Sequence, residues 1–141
     1  MTMISNSNID RRWVSTILWA VTVYFWVCGL SAIFYPVSWL VIAGLPTTLT
    51  NELALAFAVA GTFMLTMGTA GIMAALNPHK QLGLIVTLMA GNLIDFLVTL
   101  RAVVLGQLPM LRGALFLAVA MTWAVLLGLV LLAAENRRRV V

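Results

Sequence analysis

The stretch GNLIDFLVTLR, residues 91 to 101, sets a carboxylate inside an apolar helical run. An ionisable side chain at membrane depth is costly, and it marks a contact or a reaction. On a helix, positions three, four and seven apart share a face, so Asn92, Asp95 and Thr99 form one polar stripe. The preceding apolar run carries a second stripe, Thr62, Thr66 and Thr69. A symmetric hairpin at NPHK would level Asp95 with Thr62 and Asn92 with Thr66. Asp95, Asn92, Thr99, Thr62 and Thr66 are therefore expected to form an intramembrane polar cluster. Three roles fit Asp95 there. It can carry a proton and donate to Thr62 or Asn92 as an interhelical clamp, serve as a proton- or ligand-binding group, or face a basic residue on another chain.

Arg101 is the nearest cation in sequence, but six residues amount to about 240° around a helix. It shares a face with Ile94 and Leu97 near the end of the run, where a long side chain reaches the interface. Glu52, at the same end of the neighbouring run, is its expected partner in an outer-side ion pair. Other reactive residue types stand alone. His79 has no second His or Cys nearby, so no metal site is expected. Ser15, Ser31 and Ser38 lack a His or Asp placed for nucleophilic chemistry. No glycine-rich phosphate loop occurs. Cys28 is the single cysteine, which excludes an internal disulfide and suits a small packing residue. The aromatic group Trp19, Tyr24, Phe25 and Trp26 reads as packing or lipid-facing surface. No cofactor is evident, though a bound lipid or quinone is compatible with those rings.

The elements that must position these residues follow from composition. The chain has 141 residues, 63% apolar and 9% charged, against about 25% charged in ordinary soluble domains. Lipid can solvate such a surface and water cannot. The net charge of +4 is spread over the ends of apolar runs, so it reports orientation in a membrane; no nucleic-acid partner is expected. About 20 apolar residues cross a bilayer, and four stretches qualify: 13–34, 53–76, 82–104 and 111–134. The first run is too long for a signal-peptide core and is expected to stay as a span.

Between the first two spans, VSWLVIAGL is too short to cross. It reads as an interfacial helix or re-entrant segment with Tyr35 and Trp39 at headgroup level. Thr50 or Asn51 can cap the second span, with Glu52 in its first turn. Pro78 ends that span, and the short turn makes an antiparallel hairpin with the third. Gly61, Gly68, Gly71 and Gly91 are expected to bring those two backbones close. The expectation is an all-α antiparallel four-helix bundle, one membrane domain over residues 1–141. Arg11, Arg12, Lys80, Arg137, Arg138 and Arg139 fall at the end of the bundle that holds both termini, Arg101 and Arg112 at the other. That asymmetry predicts cytoplasmic termini.

AGTFMLTMGTAGIMAALNPHKQLGLIVTLMAGNLIDFLVTL resembles the corresponding part of small bacterial four-helix membrane proteins of the BphX-like and DoxX-like kind. These carry a Gly-rich helix, a short Asn/Asp-Pro turn with basic residues, and a following helix with an intramembrane aspartate. The matching positions are Gly61, Gly68, Asn77, Pro78, His79, Lys80 and Asp95. The resemblance implies the four-helix fold and a bacterial cytoplasmic membrane, and implies little about activity. DoxX-like proteins are associated with respiratory or redox membrane complexes. The expected role is a non-catalytic accessory subunit that binds partner subunits and lipids through its helix faces. The alternative is a small transporter or quinone/lipid-binding protein using Asp95.

Overall fold

The structure, a computed structural model, describes residues 4–138 and the side chains of residues 12–136. The orientation-bearing Arg11, Arg137, Arg138 and Arg139 thus have side chains outside the described residues. The chain is all-α: α1 (Ile4–Phe34), α2 (Pro36–Ala43), α3 (Asn51–Leu76), α4 (Leu82–Val104) and α5 (Met110–Arg138). Four helices are long and apolar enough to cross a membrane, over Arg12–Phe34, Asn51–Leu76, Leu82–Val104 and Met110–Asn136. They pack antiparallel, with α2 between the first two, in a multi-pass membrane protein.

Local chemistry sets the ends. Thr50 caps α3, its hydroxyl oxygen accepting the Leu53 N–H at 3.3 Å, and Glu52 occupies the first turn. Pro78 follows the Asn77 C-cap, and the Asn77 carbonyl accepts from Lys80 and Gln81 in the turn. Gly44 closes α2 in the left-handed region at φ 73°, with Gly44 N–H bonded to the Val41 carbonyl and Leu45 N–H to that of Leu40. This is a Schellman cap, which favours glycine at that residue. Gly106 ends α4 in the same way.

Packing divides the four spans into two tight pairs, α1 with α3 and α4 with α5. Each pair is joined through small residues. A Cβ on Gly29 would lie 2.8 Å from the Gly61 carbonyl oxygen, and one on Gly61 would lie 2.6 Å from that of Gly29. Gly68 and Gly71 sit against Trp26 and Thr22 of α1. Gly61, Gly68, Gly71 and Gly91 are expected to serve the hairpin seam between α3 and α4, and the three on α3 instead serve the seam with α1. Only Gly91, under Met67, belongs to the α3–α4 contact. The reason is crossing distance: the α1 backbone comes close enough that any side chain at Gly61 would collide with it.

The two pairs meet along much less surface, and unevenly. The continuous core holds Leu18, Val21, Met67, Ile85, Leu88, Leu127 and Val130, all toward the end of the bundle where the termini and the NPHK turn lie. Beyond Asn92, α4 has no buried residue, and before Met67 the only buried residue of α3 is Gly61. At the far end α2 connects the pairs. Trp39 Nε1 donates to Ser31 Oγ of α1 at 3.1 Å, and Arg112 of α5 donates to the Val41 carbonyl and to that of Ile42, the latter at 2.7 Å.

Candidate functional site

The α4 stripe begins in the core. Leu88 is fully buried, and Asn92 is 4% exposed with Nδ2 donating to the Leu88 carbonyl at 2.9 Å. Asp95, one turn further on the same face, is exposed, and Thr99 beyond it is half-buried. The stripe therefore leaves the packed region between Asn92 and Asp95. Asp95 lies nine residues before the end of α4 and thirteen after its start, or about 14 and 20 Å along the axis. That is mid-span.

The polar cluster does not close. No hydrogen bond joins Asp95 to Asn92, Thr99, Thr62 or Thr66, and no described residue gives Asp95 a hydrogen bond or ion pair. The threonine stripe turns away: Thr62, Thr66 and Thr69 are exposed, and each hydroxyl donates to the carbonyl four residues back, at 2.9, 3.0 and 2.9 Å. The glycine face of α3 is turned to α1, and these threonines lie roughly 110–170° around the helix from its centre. Such back-bonding satisfies a hydroxyl within its own helix.

The outer-side ion pair also does not form among the described residues. Glu52 accepts from the Thr50 hydroxyl and from its own backbone N–H at the start of α3. Arg101 is exposed on the face of Ile94 and Leu97, as its angle around the helix predicts. Glu52 in the first turn of α3 and Arg101 in the last turn of α4 are both exposed.

Two α1 residues are within electrostatic reach of Asp95, Tyr24 and Cys28. Tyr24 packs on Trp123 of α5, ring centroids 5.4 Å apart and planes at 41°. This ring pair joins α1 to α5 near mid-span. Tyr24, Cys28 and Trp123 also line the inner wall of an outward-facing groove of about 660 Å³ between α1 and α5. Tyr24 belongs to the aromatic group expected as packing or lipid-facing surface, and Trp123 lies outside that group. A lone Trp in α5 offers no short-range signal that it will meet α1.

Arg112 is the other residue whose role spacing did not reveal. Its signal lay in α2, which ends with no basic residue in its last turn and so leaves carbonyls for a cation from elsewhere. His79 does local work: its Nδ1 lies 3.4 Å from the Ala134 carbonyl oxygen, tying the turn to α5. Among the described residues no three His, Cys, Asp or Glu side chains gather as a metal-binding group. No family model matches the chain, and neither does any curated protein or solved structure. The functional reading rests on the geometry.

Proposed function

We propose that this chain is a non-catalytic accessory subunit of a larger membrane protein complex in the bacterial cytoplasmic membrane, with both termini in the cytoplasm. The observation that carries the reading is Asp95, exposed at mid-span with no hydrogen-bond or ion partner among the described residues. A carboxyl group in hydrocarbon requires a donor or a cation, and a basic or hydroxyl-bearing residue on a partner helix supplies one. Phe63 of α3 and Ile94 and Val98 of α4 are large exposed apolar side chains that suit a neighbouring helix.

Purification in mild detergent tests this. The wild-type chain should carry a stoichiometric membrane partner, and Asp95→Leu should lose it while the isolated variant remains folded. A chain that purifies alone from its native membrane overturns the proposal. Orientation has its own measurement. In a Cys28→Ser background, an impermeant maleimide should label Gln107→Cys from the periplasmic side and Asn77→Cys only from the cytoplasmic side.

A second reading is favoured by one observation, the reach of Asp95 to Tyr24 and Cys28 on the wall of the groove. In that reading the chain is a small transporter or quinone/lipid-binding protein, with Asp95 as its proton or ligand group. Reconstituted Asp95→Asn protein would then lose flux or ligand binding. Undiminished activity in liposomes would rule it out.

A further inference from the structure

The outer face of α1 carries two adjoining concavities of different character. The first, about 440 Å³, is lined by Arg12, Ser15, Thr16 and Trp19 at the start of the span. The second is the groove of about 660 Å³ described above, which shares Thr16 and Trp19 with the first. Arg12, Thr16, Trp19, Val23 and Val27 recur every three or four residues, so they run in one line along the helix. Trp123 of α5 forms the opposite wall of the deeper part. From Arg12 to Val27 the line covers about 22 Å, more than the roughly 15 Å of hydrocarbon in one leaflet.

We propose that this line is a binding site for one anionic phospholipid, with the phosphodiester at Arg12 and Ser15 and one acyl chain along Trp19, Val23 and Val27 against Trp123. Charge complementarity selects the occupant. Among the described residues, the only charged one lining either concavity is a guanidinium, set at the membrane boundary where phosphates lie, and none of them places a carboxylate beside it there. The Thr16 hydroxyl already donates to the Arg12 carbonyl at 2.8 Å, so the donors left for a phosphate are the guanidinium, the Ser15 hydroxyl and the Trp19 indole N–H. Guanidinium presents paired N–H groups that match a phosphate. Below it the walls are mainly apolar side chains and rings with no charged group among the described residues, which suits a hydrocarbon chain. The site requires only that the chain sit in a bilayer, so it stands whether or not a partner subunit is found.

Native mass spectrometry of the full-length protein with phosphatidylglycerol or phosphatidylcholine of identical acyl chains tests the site. Wild type should retain one phosphatidylglycerol to higher collision energy than phosphatidylcholine. Arg12→Gln should reduce the retained fraction of phosphatidylglycerol about fivefold and erase the difference, the factor expected for one cation beside an anionic headgroup. Val23→Trp, at a position facing lipid and 58% exposed, should fill the groove and reduce retention of both lipids without lowering the thermal midpoint. Lys80→Gln, at the same end of the bundle but in another depression, should change nothing. Equal retention of the two lipids by wild type, or equal losses for Arg12→Gln and Lys80→Gln, would overturn the proposal. Retention unchanged in Val23→Trp would do the same. A quinone that displaces phosphatidylglycerol and binds Arg12→Gln as well as wild type would assign the groove to a neutral occupant and also overturn it.

Discussion

Asp95 and Gly61 mark two ways in which one residue controls this molecule. Asp95 draws no hydrogen bond or ion pair from the described residues, so removing it should leave the isolated fold intact. Asp95→Leu is expected to hold or raise the thermal midpoint of the detergent-purified chain, since it deletes an unsatisfied polar group. A midpoint lowered by several degrees would mean that Asp95 clamps the bundle. Gly61 behaves in the opposite sense. Its missing Cβ is what lets the Gly29 carbonyl approach, so Gly61→Leu should cost about 1–3 kcal/mol through overpacking. Gly83→Ala is the control. A Cβ at Gly83 meets nothing within 4 Å, and the change should stabilise by about 0.4–1 kcal/mol through chain entropy. Paired thermal melts separate the two glycines. The stripe Asn92–Asp95–Thr99 was legible from helical spacing alone. Which face of α3 met it was not, because Gly61 and Thr62 are adjacent in sequence and only the choice of partner helix decides which points inward.

At the level of elements, α2 shows how a short helix can act as a connector. It is too short to span, as its length and its flanking Gly and Pro predict, and its cap at Gly44 is where Arg112 arrives. Arg112→Met removes the donors to the Val41 and Ile42 carbonyls, and each such charge-assisted bond contributes about 1.5–3 kcal/mol. Faster amide exchange confined to residues 36–50 is the expected readout, with α4 unchanged. Gly44→Ala forces a Cβ into the left-handed region beside the Arg112 side chain, at a cost of about 1–2 kcal/mol. The same segment should respond. Helix bounds were largely legible: the expected third span, 82–104, coincides with α4, and the expected 53–76 begins two residues inside α3. The helix of the first span extends further toward the N-terminus, to Ile4, because hydropathy locates the part that lipid covers and not where hydrogen bonding stops.

For the whole molecule, the governing fact is that the core occupies one half. Leu88→Ala, in that half, should leave a cavity and cost roughly 2 kcal/mol. Leu97→Ala, 61% exposed on the far half of the same helix, should cost almost nothing in detergent, where it exchanges one apolar surface for another. Equal losses at the two positions would show that the far half is also packed. The four-helix count and the antiparallel order followed from apolar run lengths and short turns. The division into α1–α3 and α4–α5 pairs did not, since turn length brings consecutive helices near each other but does not say how closely they pack.

That division has a mechanical meaning. The bundle is pinned at the terminal end by its core and fastened at the other by the α2–Arg112 contact, and on the α3–α4 side little holds it between those two points. The buried residues of α4 end at Asn92, and Asp95 stands one turn beyond them. A helix or ligand that engages the carboxyl group would therefore meet the part of the structure that can move aside at the smallest elastic cost, with neither the pin nor the fastening disturbed.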